Sequence, residues 1–153
     1  MRKRTTIFGQ LLFATVLVLP QAVFAQESGG DIEKILTRQS EAWNKGDILG
    51  FMETYWKDER MTFSSGGEMR RGWQATLDRY KSSYPKEKMG QLRFDQLEVI
   101  SLGTDSAFAT GDWHLDLNGE KKDGNFSLVL RKIGGAWKIV HDHSSVIQPK
   151  KEE

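Results

Sequence analysis

Residues 107–146 read AFATGDWHLDLNGEKKDGNFSLVLRKIGGAWKIVHDHSSV, and their pattern decides the fold. Apolar and polar residues alternate over Ala107 to Leu117, Phe126 to Lys132 and Trp137 to Val146. Such a period of two predicts half-buried strands. Gly134-Gly135 and the run from Gly119 to Gly124 separate them, so the stretch predicts two consecutive hairpins. With Gly134-Gly135 as a two-residue turn, Ile133 faces Ala136 and Leu130 faces Ile139. Pairing Gly119 with Gly124 puts Trp113 opposite Leu130 and Asp112 opposite Arg131. One sheet face then carries Trp113, Leu115, Leu117, Phe126, Leu128, Leu130, Trp137 and Ile139, together with His141 and His143. This is the face apolar enough to cover a core. The other face carries Asp112, His114, Asp116, Arg131, Lys138 and Asp142.

Upstream, Leu92-Phe94 and Leu97-Val99 each alternate, but the phase slips at Asp95-Gln96, which predicts a bulged strand. Before Lys88 the period changes to that of helices. Ile32, Ile35, Leu36, Ala42 and Trp43 define a first helix, capped by Asp31 and stopped by Asn44-Lys45-Gly46. Asp47 caps a second, with Phe51, Met52, Tyr55 and Trp56 along one face. Met61 to Ser64 reads as a short strand ended by Gly66-Gly67. Gly72 opens a third helix carrying Trp73, Leu77, Tyr80 and Tyr84, and Pro85 closes it. Helices first and an antiparallel meander afterwards define an α+β class, the helices covering one sheet face.

The first residues carry a different signal. Arg2, Lys3 and Arg4 precede an apolar run from Ile7 to Leu19, Pro20 breaks it, and Val23-Phe24-Ala25 offers small residues for cleavage. This order predicts a secretory signal peptide over 1–25, and the run is short for a bilayer span. A polar tether over 26–30, one domain over 31–148 and a charged tail over 149–153 follow. The product is expected in the periplasm or the medium, with no membrane association after cleavage. Removing the leader takes three of the 22 basic side chains and none of the 21 acidic ones, leaving the mature chain at −2. A weakly acidic domain offers no footprint for a phosphate backbone, so nucleic acid is not an expected partner. The chain has no cysteine, which excludes disulfides, thiol catalysis and cysteine-ligated zinc.

The segments Trp43-Asn44-Lys45-Gly46-Asp47, Gly111-Asp112-Trp113 and Gly135-Ala136-Trp137-Lys138-Ile139-Val140-His141-Asp142-His143-Ser144, in that order, resemble the nuclear transport factor 2-like superfamily. The similarity is greatest to its SnoaL-like branch, and it extends from about Asp31 to Val146. The resemblance implies a cone: three helices in the concavity of a strongly curved antiparallel sheet, with a pocket at the open end. It also implies a homodimer formed through sheet surfaces. A fold that hosts isomerases, cyclases, dehydratases, ligand binders and assembly modules licenses no single activity.

Candidate site residues follow from the register. His141 and His143, at i and i+2 on a strand, point the same way and by this register inward, where they could contact a ligand. His143 is the best catalytic candidate. The alternative is a pair of structural imidazoles. Tyr55, Phe63 and Trp113 join them as ligand-binding candidates, and so many aromatics favour an apolar or planar ligand. His114 falls on the opposite face, which leaves no trihistidine metal site, and no motif calls for a cofactor. Three functions stay open: an exported binder of a small apolar molecule, an isomerase-, cyclase- or dehydratase-type enzyme with a histidine base, and a dimeric assembly module without ligand.

Overall fold

The computed structural model describes residues 21–147. The elements run α1 (Gln21–Asn44), α2 (Ile48–Met52), β1 (Thr62–Ser65), β2 (Glu68–Arg71), α3 (Trp73–Ser83), β3 (Gln91–Ser101), β4 (Ser106–Leu117), β5 (Glu120–Ile133) and β6 (Ala136–Val146). Most of the leader (1–20) and the charged tail (149–153) lie outside the described residues. The three helices cover one face of a six-stranded sheet of order β2-β1-β6-β5-β4-β3. The meander β3 to β6 is antiparallel throughout, as alternation predicts. The β1–β2 hairpin was only half legible, and β1 joins β6 in parallel, so the sheet is mixed rather than purely antiparallel.

Helix α1 starts earlier than expected. The tether over 26–30 is helical, and Asp31 is not a cap but an ion-pair partner of Lys34 at 3.1 Å. Nothing between Pro20 and Gly46 forbids the helix: Gly29 and Gly30 disfavour it by only about 1 kcal/mol each, and neither adopts positive φ. Its far end is pinned to the sheet. Trp43 Nε1 donates to Met89 O at 2.7 Å, and the Asn44 side chain bonds both Leu92 N and Leu92 O, at 2.6 and 3.1 Å.

Two irregularities shape the sheet. The slip in β3 falls where the sequence placed it: the register shifts between Asp95 and Glu98, and Gln96 takes φ 50°. The second slip lies in β6, where Leu130 pairs with Ile139 but Val129 pairs with His141, leaving Val140 as an extra residue. On the far side of β6 the neighbouring backbone changes at the same point. Ile139 exchanges hydrogen bonds with the segment after α2 (Trp56 N to Ile139 O, 2.9 Å; Ile139 N to Thr54 O, 3.0 Å). From His141 onward the neighbour is β1.

Gly134-Gly135 forms the anticipated two-residue turn, with φ of 59° and 82°. The β4–β5 turn is instead Asn118-Gly119, both at positive φ, the dipeptide favoured for hairpins whose twist matches the strands. Trp113 therefore pairs with Gly124 and Asp112 with Asn125, while Arg131 lies opposite Ser106 and reaches Asp105 at 3.8 Å. The expected pairings were displaced by an even number of residues, so the inward and outward faces of β4 and β5 survive. The Trp113 ring covers Gly124, where a Cβ would stand 2.5 Å from it and 1.9 Å from Ser145 O.

Candidate functional site: an aromatic cavity with a buried carboxyl

Between the helices and the concave face of the sheet lies a cavity of about 400 Å³. One wall is an edge-to-face aromatic cluster supplied by all three helices. Trp43 meets Phe51 at 5.2 Å and Tyr84 at 4.9 Å between ring centroids, and Phe51 meets Tyr80 at 5.2 Å. Phe63 of β1 closes on Tyr80 at 5.6 Å. The sheet supplies Phe94, Trp113, Leu115, Phe126 and Leu128.

Asp142 sits on the floor of this cavity and is only 5 % exposed. Tyr55 Oη donates to its Oδ2 at 2.7 Å and Ser144 Oγ donates to its Oδ1 at 2.9 Å. Desolvation raises the Asp142 pKa to about 6, against the opposing pull of these two hydrogen bonds and of His143. The same burial, reinforced by the Asp142 charge, pushes both Tyr55 and Tyr80 well above the usual phenol range. The neighbourhood thus holds a carboxyl that titrates near neutrality beside two phenols that stay protonated.

Of the residues singled out from sequence, Tyr55, Phe63 and Trp113 line the cavity. His141 and His143 do not. The extra Val140 shifts the alternation by one, so Asp142 and Ser144 turn inward and the two histidines face out. His141 Nδ1 lies 2.7 Å from Thr62 Oγ1, and desolvation, followed by the nearby His143, lowers its pKa. His143 is exposed. The inward reading of this pair is corrected accordingly. Asp142, assigned outward from sequence, is the titratable group of the site. The adjacent apolar pair Ile139-Val140 stands at the place, but nothing in the pair itself distinguishes a bulge from two half-buried neighbours.

His114 faces away from the cavity, on the outer face as expected. Its Nδ1 lies 2.6 Å from Asp123 and its Nε2 3.1 Å from Asp95. Burial lowers its pKa, but the two carboxylates outweigh that and raise it. No group of three or more His, Cys, Asp or Glu side chains suited to a metal ion occurs among the described residues. No described helix is long and apolar enough to cross a membrane.

The comparison with protein families agrees with this architecture: residues 32–149 match the SnoaL-like domain. The chain belongs to the SnoaL-like family, within the nuclear transport factor 2-like superfamily. Among solved structures it is similar to an NTF-2 like protein of unknown function from Shewanella oneidensis. The two are 40 % identical over 76 % of this chain and 97 % of that one, with a TM-score of 0.73. It shares the fold of an NTF2-like superfamily protein from Salmonella enterica, at 21 % identity over 86 % and 96 % of the two chains and a TM-score of 0.66. It also shares the fold of a putative scytalone dehydratase from Novosphingobium aromaticivorans, at 11 % identity over 84 % and 89 % and a TM-score of 0.70. No curated protein matches.

Proposed function

We propose that this protein binds a small, largely apolar molecule in the cavity and orients it with Asp142 and Tyr55. One observation carries the reading: a volume of about 400 Å³ walled by aromatic rings has a single buried, hydrogen-bonded carboxyl on its floor. That composition, apolar walls with a few placed polar groups, is what small-molecule sites share. Native mass spectrometry of the protein purified from the cells that make it is the test. The wild type should carry a discrete extra mass, and Ser65→Trp, which plugs the rim without entering the core, should lose it. No extra mass in either protein, and no saturable change in tryptophan fluorescence with 2-naphthol, would overturn the reading.

A second reading is favoured by the pKa of about 6 at Asp142. A general base works best when its pKa lies near the operating pH. In an isomerase- or dehydratase-type reaction, Asp142 would take the proton, and Tyr55, whose single O–H the neutralised carboxyl then releases, would turn it to the oxygen on which charge develops. The fold shared with the putative scytalone dehydratase is compatible with such chemistry. Under this reading Asp142→Asn abolishes turnover but retains ligand, whereas turnover that survives the substitution eliminates Asp142 as base. The histidine-base version has no support from the geometry, because His141 and His143 face outward.

We further propose that the chain is exported and cut after Ala25, and that it dimerises through the outer sheet face. Ile100, Phe108, Val129 and His141 pair in succession across four strands there, and Ile100 is 57 % exposed. N-terminal sequencing of the mature protein tests the first proposal; a chain starting before Gln26 refutes the cut. Light scattering tests the second. Val129→Asp should give a folded monomer, and a wild type that is itself monomeric refutes it.

A further inference from the structure

The cavity is electrically asymmetric. Its floor is the Asp142 carboxyl, and its exposed lining residues, which mark the mouth, include Gly66, Glu68, Arg79 and Val146. Arg70, half-buried beside them, pairs with Glu68 at 3.4 Å. Arg79 has no carboxylate within 4.0 Å among the described residues. The mouth therefore presents one arginine whose charge is already matched and one whose charge is not.

Two more polar atoms in the lining are unpaired. Ser83 Oγ and Trp113 Nε1 are buried and find no hydrogen-bond partner among the described residues. Ser83 follows Arg79 by four residues on α3, so both project from the same face of that helix into the cavity. Trp113 joins the lining from β4. A buried donor left unsatisfied costs about 1–3 kcal/mol, and an acceptor oxygen that reached these atoms from the cavity would recover that cost. An indole N–H and a guanidinium only donate, and a hydroxyl can donate. All three therefore call for acceptor oxygens. A second negative charge beside the buried Asp142 is disfavoured, so the oxygens must sit at the mouth and not on the floor.

From this asymmetry we infer that the occupant is a ring-bearing monocarboxylate. Its apolar ring lies against the aromatic wall, and its carboxylate lies at the mouth on Arg79 and Ser83, within reach of the Trp113 N–H. A neutral hydroxyl or carbonyl at the opposite end of the molecule meets Asp142 and Tyr55. The inference rests on the reading of this cavity as a ligand site and adds the polarity and class of the ligand.

Calorimetric titration of the purified protein with two matched probes tests it: 2-naphthoate and its neutral counterpart 2-naphthalenemethanol. At about pH 7.5 the carboxylate probe is ionised. It should bind about tenfold tighter than the alcohol or more, the range of a charge-assisted hydrogen bond. Arg79→Gln should erase that preference by weakening only the naphthoate, and Trp113→Phe, which keeps a ring but removes the N–H, should reduce it. If the alcohol binds as well as the naphthoate, the carboxylate inference falls while the cavity reading stands. If the preference is undiminished in Arg79→Gln, the inference also falls. If neither probe binds, the cavity reading fails and takes the inference with it.

Discussion

At Asp142, burial and hydrogen bonding act in opposite directions, and burial wins. Two donated bonds at 2.7 and 2.9 Å favour the ionised form, yet the pKa rises from 3.8 to about 6. That rise corresponds to a preference for the protonated form of about 3 kcal/mol. The sign follows from linkage. A carboxyl whose folded pKa is raised contributes stability below its unfolded value, and this is lost as pH climbs through the folded value. Asp142→Asn removes the charge, keeps the shape and retains an oxygen to accept from Tyr55. Urea unfolding at about pH 7.5 should find it more stable than wild type by about 1–3 kcal/mol, and the gain should shrink toward zero near pH 4. A variant no more stable than wild type at the higher pH would mean that the carboxyl is not desolvated. A site residue whose removal stabilises the fold is one retained for something other than stability.

Elements place that residue, and each is short enough for one side chain to matter. Helix α2 has five residues and depends on its cap, Asp47, which accepts from Gly50 N at 2.9 Å. The helix carries Phe51 and leads to Tyr55, so it holds both an aromatic wall and the donor to Asp142. Asp47→Ala should destabilise the protein by about 1 kcal/mol, the usual value of an N-cap. If Asp47→Ala instead removes ligand binding with no loss of stability, Asp47 is a site residue and not a cap. The Asp47 cap, the Gly134-Gly135 turn and the β3 bulge at Asp95-Gln96 were legible because each is written in adjacent residues. The β4–β5 turn was missed because Asn118-Gly119 competes with the later Gly124, and the paired strand begins at Glu120, six residues before the first apolar residue of β5 that marked it, Phe126 at its inner face. The bulge at Val140 was missed for a deeper reason. It falls where β6 exchanges one neighbour for another, the 54–56 segment for β1, a tertiary event that periodicity in β6 does not report. That one residue decides whether histidines or an aspartate enter the cavity. The aromatic wall was therefore legible from sequence and the titratable floor was not.

Across the whole molecule, the titrating groups with raised values pull the same way. His114, raised by Asp123 and Asp95 against its desolvation, adds stability that fades as pH rises through its folded pKa. Asp142 does the same below and through about pH 6. Asp95, lowered first by its hydrogen bond from His114 and then by Arg93, and Asp58, lowered to about 2 by Arg60, act oppositely and lose their contribution only in acid. His141, lowered by desolvation, loses stability as pH falls below about 6.5 and opposes Asp142 there, so the thermal midpoint should decline from about pH 6.5 toward pH 8 as His114 loses its proton. A midpoint rising steadily from about pH 6.5 to pH 8 would contradict the raised value at His114. The interior shares one plan: rings from three helices and four strands wall the cavity, and the buried Asp142 carboxyl sits on its floor.

The carboxyl carbon of Asp142, followed by NMR across pH in the wild type and in Tyr55→Phe, tests the site most directly. A midpoint near 6 in the wild type is expected. It should move higher in Tyr55→Phe, because the lost hydrogen bond had favoured the ionised form. A wild-type midpoint near 3.8, unmoved by the substitution, would place Asp142 in water and contradict the buried, Tyr55-bonded carboxyl on which the account rests.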